Sequence, residues 1–314
     1  ITMTQVINEL DRYERQKRIW GEQGQEQLAN TRVAIIGDDH FARYTAMPLA
    51  ALGIGQILLI GDGTNNNGRF LDMAHKQRAT VDGVAKALST INPQVNVMGI
   101  PAQIDTPIME YYLKDCEVII EATNDLDSKV LTHELAGDAA VISGSMDNSY
   151  ARMTLKLANE AASQQHVMPV NQGAPQDPLI GLLWGGIAAE EVKKLVLDTG
   201  DALDRPLYYN FAQPDRFSFR QPDQQSHTIT YEPFSDMSAL TVGAGALGNI
   251  MTIAFAHMGM GHVTFVDDDI VKSHNLNRQI LFYDAIGKTK ADVLAQKLEV
   301  MGTTQTKKKK KKLK

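Results

Sequence analysis

Apolar residues in this chain fall into short runs that recur at a fixed distance. Val33-Ala-Ile-Ile-Gly37 is a buried-strand pattern closed by a glycine, and Ala239-Leu-Thr-Val-Gly243 repeats it 206 residues later. Leu52-Gly-Ile-Gly55 and Met258-Gly-Met-Gly261 stand at the same distance. Each is followed by another apolar strand, Gln56 to Ile60 and His262 to Val266. Both copies therefore spell strand, glycine turn, helix, strand, the opening of a parallel, nucleotide-binding α/β unit. The first copy continues with a helix predicted near Val81 to Thr90, strands at Glu117 to Glu121 and Ala140 to Ser143, and a long helix from Leu182 to Leu197. The second adds a helix from Thr289 to Met301 and then ends in lysines. Between the copies, Arg205 to Asp236 is rich in Pro, Gln and Asp, with Phe217, Phe219 and Thr228-Ile-Thr-Tyr231 as candidate edge strands.

The predicted architecture is α/β, two tandem Rossmann-like units with mainly parallel sheets, the second incomplete. Leading helices are expected over 1–30, the first unit over 31–204, a linker over 205–237, the second unit over 238–302 and a basic low-complexity tail over 303–314. Because the αβ pattern stops after Met301, the natural protein is expected to continue past that point, with a frame slip giving rise to the lysine run.

Composition narrows the class. The 314 residues are 43% apolar and 22% charged, which suits a globular protein of about two domains. No apolar run approaches the roughly 18 to 20 residues of a membrane span, and Ile1 to Arg18 lacks the apolar core of a signal peptide, so a cytoplasmic protein with no membrane partner is expected. The single cysteine, Cys116, excludes an intrachain disulfide and a Cys-x-x-Cys zinc site. Its place before Glu117-Val-Ile-Ile120 marks it as a small packed hydrophobe. The formal charge is −6 although Lys307 to Lys312 are all basic, so nucleic acid is not an expected partner outside that tail.

The candidate chemistry sits in the second copy. Gly243-Ala-Gly245-Ala-Leu-Gly248 follows a predicted strand and opens a predicted helix, and Asp267 stands nineteen residues beyond the last glycine. Glycines let the backbone approach phosphate oxygens, the helix start offers N–H groups and partial positive charge, and Asp267 is placed to accept from ribose hydroxyls. By itself this motif fits any nucleotide, including a nicotinamide cofactor.

The residues that follow are more specific. Asp267-Asp-Asp269-Ile-Val-Lys-Ser-His-Asn275-Leu-Asn-Arg278-Gln279, with Lys290 after it, resembles the Asp-x-Asp, Asn-Leu-Asn-Arg-Gln and Lys block of the MoeB/ThiF and ubiquitin-activating enzyme superfamily. Asp11-Arg-Tyr13-Glu-Arg15-Gln16 and Trp20-Gly21 are similar to that family's Arg-Tyr-x-Arg-Gln leading helix. The resemblance implies ThiF-type units, Mg-ATP as cofactor, and adenylation of the C-terminal carboxylate of a ubiquitin-like or sulfur-carrier protein. It implies a possible homo- or heterodimer. Arg278 and Lys290 would neutralise phosphate charge, Arg15 would reach from one half into the other half's site, and Asn275 and Gln279 would orient phosphates and the adjoining loop. His274 departs from the serine usual in the family.

The first copy lacks this equipment. At the offset of 206, Gly245 corresponds to Asp39, Gly248 to Ala42 and Asp267 to Gly61, and the stretch matching the Asn-Leu-Asn-Arg-Gln block is Asn65-Asn-Asn-Gly-Arg69-Phe-Leu-Asp72. A carboxylate at Asp39 would repel phosphate, so this half is expected to be structural and to contribute Arg15. Glu121-Ala-Thr123-Asn124-Asp125 resembles the family's magnesium-binding segment with Asn and Asp exchanged, and no metal site is assigned to it. Trp184-Gly-Gly186 to Lys193 resembles a family element in which small residues allow close helix packing. The expected activity is adenylation. A non-catalytic partner subunit is the alternative, and a nicotinamide-dependent oxidoreductase would leave the Asn275 to Gln279 block without a task.

Overall fold

The computed structural model describes residues 12–62, 80–222 and 234–301, and the backbone of 305–309. The candidate edge strand Thr228–Tyr231 and the stretch Asn65–Asp72 lie outside the described residues.

Strands β1 (Arg32–Ile36), β2 (Gln56–Gly61), β3 (Asn96–Pro101), β4 (Val118–Glu121) and β5 (Ala140–Met146) run parallel, in the order β3-β2-β1-β4-β5. Strands β6 (Tyr150–Lys156), β7 (Leu207–Asn210) and β8 (Phe217–Ser218) extend the sheet antiparallel to eight strands. The order reverses between β1 and β4, and the loops above that switch point form the crevice in which α/β sheets hold ligands.

Helices cover both faces. The first helix, α1 (Glu14–Asn30), bends at Gly21, whose φ of 75° is open to glycine at little cost. The next, α2 (His40–Leu52), leads from β1 to β2, and α3 (Val81–Ile91) precedes β3. On the other face α4 (Thr106–Leu113) and α5 (Leu126–Leu135) pack Met109, Leu113 and Leu131 against Ala34, Ile36 and Ile60. The short α6 (Gln164–Val167) leads to α7 (Pro178–Leu197), whose Gly181 and Gly185 lie so close to α2 that an added Cβ would come within 2.7 Å of His40 and 2.4 Å of Tyr44. Trp184, between those glycines, is fully buried.

The second sheet has the order β11-β10-β9, all parallel, from β9 (Ser238–Val242), β10 (His262–Val266) and β11 (Gln305–Lys309). It reproduces the β3-β2-β1 edge of the first sheet. Composition reads the basic stretch as a solvated tail, yet five of its residues run as backbone beside β10. A ladder of peptide groups is indifferent to side-chain charge, and the crossover through α9 (Lys290–Met301) delivers the next strand to that edge.

The 206-residue repeat is written into the hydrogen bonds. Gly37 donates to Ile60 as Gly243 donates to Val266, both at 2.8 Å, and Gly55 donates to Leu28 at 3.0 Å as Gly261 donates to Phe234 at 2.9 Å. Gly53 and Gly259 terminate α2 and its counterpart α8 (Ala246–Met258) in the left-handed conformation. A Cβ on Gly55 would sit 1.8 Å from the Ala29 carbonyl oxygen, and one on Gly261 would sit 1.6 Å from that of Ser235. Because neither backbone can yield, Gly55→Ala should lower stability by about 3 kcal/mol in urea denaturation, at the upper end of ordinary overpacking.

A buried histidine gives the first unit a pH signature. His133 on α5 faces His166, with ring centroids 5.7 Å apart, and burial, followed by the charges of His166, Lys129 and Lys156, brings its pKa down to about 4. The unfolded chain takes up this proton first, so the stabilisation is complete above the ordinary value of 6.5 and is lost as pH falls toward 4. On acidification from pH 7 to 4 the wild type should lose up to about 3 kcal/mol more than His133→Gln, read as the difference between two urea series.

Candidate functional site

The two units meet across α2, α7, α8 and the turns that follow β10. Tyr44 Oη hydrogen-bonds His257 Nε2, and the His40 ring stands edge-on to the His257 ring at 5.7 Å. The start of α1 reaches across to the second unit: Asn277 Nδ2 donates to Gln16 Oε1 at 2.9 Å, and Glu14 lies 4.0 Å from His274. Gln16 is buried and also donates to the Leu52 carbonyl oxygen at 2.7 Å, so one side chain ties α1 to the end of α2 and to the second unit.

In the second unit the loop from β9 to α8 has the geometry of a phosphate cradle. Gly243 has φ of 95°, and Cβ atoms added at Gly243 or Gly245 would meet nothing within 4 Å, leaving open space where phosphate oxygens would approach. Gly248 serves a different purpose, since a Cβ there would lie 2.7 Å from the Gly243 carbonyl oxygen. Asp267, at the end of β10, accepts from Ala244 N–H at 2.6 Å and from Asp269 N–H at 2.8 Å. The carboxylate predicted to face ribose thus also holds the glycine loop in place.

Lys290 Nζ donates to Asp269 Oδ2 at 2.7 Å, and this bond and charge hold the Asp269 carboxyl below its usual range. Lys290 is itself buried at the start of α9. Asn275 Oδ1 accepts from Lys272 N–H at 2.9 Å and caps the turn that carries Arg278. Arg278 Nη1 donates to the His274 carbonyl oxygen at 2.8 Å and to Asn277 Oδ1 at 2.9 Å. Burial, and then the charge of Arg15, lower the Arg278 pKa, so the first half's arginine is within electrostatic reach of the second half's. Gln279 is buried, its N–H donates to the Asn275 carbonyl at 2.8 Å, and its Oε1 has no hydrogen-bond partner among the described residues. The residues singled out from sequence therefore form one locality, with Arg15 and Gln16 arriving from the other unit. The struts Gln16 and Asn277 were not foreseen, because each is a polar side chain whose partner lies across the unit boundary.

The equivalent place in the first unit is a cavity of about 470 Å³ bordered by Gly37, Asp39, Gly61, Asn124, Asp125 and Gln176. Its helix start is already satisfied from within. Asp39 Oδ1 accepts from His40 N–H and Gln176 Oε1 from Phe41 N–H, both at 2.8 Å. The ribose acid has no room to return either, since a side chain at Gly61 would lie 2.7 Å from Asp38 Cβ. Asn124 accepts from Met146 N–H at 3.0 Å and donates to the Ala174 carbonyl at 2.7 Å, while Asp125 caps α5 through Ser128 N–H at 2.7 Å. Glu121 and Lys129 form a fully buried ion pair. Cys116 is buried, and burial pushes its thiol up to about 11, so it is no ready nucleophile.

The model of the ThiF family matches residues 13–231 and again residues 228–306. The SAMP-activating enzyme E1 of Haloferax volcanii is 24% identical over 235 residues, covering 67% of this chain and 84% of that protein. The adenylyltransferase and sulfurtransferase UBA4 of Vanderwaltozyma polyspora is 24% identical over 213 residues, 61% of this chain and 49% of that one. Mouse ubiquitin-like modifier-activating enzyme 7 is 28% identical over 193 residues, 54% of this chain but 19% of its own length, so the chain spans only a small part of that relative. Among solved structures, PaaA superposes with a TM-score of 0.52 at 18% identity, covering 69% of this chain and 83% of that one. The E. coli MccB structure superposes at 0.53 and 14%, covering 64% and 68%. Among the described residues no helix is long and apolar enough to cross a membrane. On the two family matches, the chain belongs to the ThiF family.

Proposed function

We propose that the second unit binds Mg-ATP and that the chain adenylates the C-terminal carboxylate of a ubiquitin-like or sulfur-carrier protein, with the first unit as structural partner. The observation that carries this reading is the open Gly243 loop, held from behind by Asp267, with the Lys290–Asp269 pair on the segment that follows β10. Arg278 also feels the charge of Arg15 across the unit boundary, and a triphosphate approached by a carboxylate is an anion that would offset both.

Bound ATP would supply the adenylyl group that the carboxylate takes at the α-phosphorus as pyrophosphate leaves. The chain's own task is to position and to neutralise: Gly243 and Gly245 admit the phosphates, Asp267 holds the loop and keeps lone pairs for ribose, and Lys290, Arg278 and Arg15 offset the charge. Asn275 and Gln279 set the turn from which Arg278 projects. For magnesium the fit is poorer. Asp267, Asp268 and Asp269 each bring an oxygen within 4.8 Å of the others, but Asp267 is bonded to two backbone N–H groups and Asp269 to Lys290.

A non-catalytic partner subunit is the second reading, and one observation favours it. The first unit's helix start is capped from within by Asp39 and Gln176, and Gln16 ties this unit to Asn277 of the second, the arrangement of a supporting half. ATP–pyrophosphate exchange separates the two. Exchange by the chain, stimulated by a ubiquitin-like protein, supports the enzyme; exchange that arises only on adding a complete family member supports the scaffold.

A further inference from the structure

A line of side-chain amides crosses the unit boundary and ends on Arg278. Gln16 Nε2 donates to the Leu52 carbonyl oxygen at 2.7 Å and to Gln25 Oε1 at 2.5 Å, and Gln25 Nε2 reaches the same carbonyl at 3.2 Å. Gln16 Oε1 then accepts from Asn277 Nδ2 at 2.9 Å, and Asn277 Oδ1 accepts from Arg278 Nη1 at 2.9 Å. Gln16 and Gln25 are buried, Asn277 is half-buried and Arg278 is exposed. The two ends fix the direction of this line. A main-chain carbonyl only accepts and a guanidinium only donates, so Gln16 and Asn277 must each turn NH2 toward Leu52 and oxygen toward Arg278. Turning Gln16 over would set its oxygen against the Leu52 carbonyl and its NH2 against that of Asn277, leaving buried polar groups unpaired.

We infer that Gln16 and Asn277 form a one-way amide relay by which the first unit sets the orientation of Arg278, making Gln16 a positioning residue for the second unit's site. Arg15, whose charge Arg278 feels, is the next residue along α1, so one turn of that helix both brings the first unit's cation within reach and orients the second unit's own. The other cross-unit bond, from Tyr44 to His257, joins α2 to α8 and includes neither Asn277 nor Arg278. The positioning role rests on the nucleotide site proposed above. The relay itself does not, because every bond in it is made within the chain.

The test follows rotation of the Arg278 guanidinium by nitrogen NMR of the full chain labelled at arginine, with Arg278→Lys to assign the signal. Asn277→Asp, at a half-buried position, separates the relay from a merely local contact by sign. A carboxylate bonds a guanidinium about twice as strongly as an amide does, so a local contact predicts slower rotation. In the relay the new carboxylate meets Gln16 Oε1, which cannot turn over, and is pushed off, so rotation quickens by about threefold or more, the worth of one net hydrogen bond. Gln16→Met should quicken it as well, while Tyr44→Phe, which loosens the unit boundary away from the relay, should leave it unchanged. Calorimetric titration with Mg-ATP should show binding weakened by about threefold to tenfold in Gln16→Met. Slower rotation in Asn277→Asp, unchanged rotation in Gln16→Met, or an equal response to Tyr44→Phe overturns the relay. Unweakened Mg-ATP binding by Gln16→Met overturns its positioning role. A wild-type chain that binds no Mg-ATP yet shows the rotational responses supports the relay and counts against the nucleotide site alone.

Discussion

Alanine at Arg278 is expected to slow ATP–pyrophosphate exchange by roughly 30- to 1000-fold, a loss of about 2 to 4 kcal/mol of transition-state stabilisation. Arg278 is held from behind by the His274 carbonyl and Asn277 Oδ1, so its position is set before any substrate arrives. Arg15 lies close enough to lower its pKa, a repulsion that an incoming polyphosphate would relieve. The same range is expected for Lys290→Ala, which also leaves Asp269 without its partner and so adds negative charge where phosphates would bind. Arg15→Ala should act in the same direction without touching the second unit's own hydrogen bonds. Full exchange rates in Arg278→Ala or Lys290→Ala would remove these residues from the site.

Lys129→Met should destabilise the chain by about 3 to 5 kcal/mol, because it strands the Glu121 carboxylate in the first unit's interior. Both partners of this pair are essentially without solvent contact. Lys129 also donates to the Gly144 carbonyl at 2.8 Å, and Ser128 Oγ reaches Glu121 at 3.1 Å, so the pair is part of a small satisfied network. Burial already raises the Glu121 pKa despite the ammonium beside it. Without Lys129 the carboxyl rises further, so folded chains bind a proton that unfolded chains release, and the destabilisation should shrink as pH falls. Glu121→Gln combined with Lys129→Met should recover much of the loss. A single-variant cost under about 1 kcal/mol by urea denaturation would show that the pair contributes little.

The repeat made much of this fold legible. Val33 to Gly37 and Ala239 to Gly243 were readable as equivalent strands because apolar runs closed by glycine survive divergence, and Gly55 and Gly261 meet a carbonyl at the same place in both units. Strands β3 and β6 were not legible. Asn96 to Pro101 alternates only weakly between buried and exposed positions, and Tyr150 to Lys156 contains Arg152 and Lys156, whose stems and charges are accommodated by tertiary contacts that no local pattern reveals. β7 lies inside the stretch read as a linker, because four residues, Leu207–Asn210, carry too little periodicity to register. At the site, the glycines announced themselves by spacing and the Asn275 to Gln279 block by its resemblance to the family's motif. The neutralisation of the first unit's cradle was half visible: Asp39 stood out as a misplaced carboxylate, but Gln176 arrives from 135 residues away.

We place one nucleotide site in the second unit, completed by the first. Calorimetric titration of the 314-residue chain with Mg-ATP tests it directly, run beside Arg278→Ala and Asp39→Asn. Binding of one nucleotide per chain, lost in Arg278→Ala and unchanged in Asp39→Asn, is the predicted result. Binding that survives Arg278→Ala, or a chain that takes up no nucleotide at all, would contradict it.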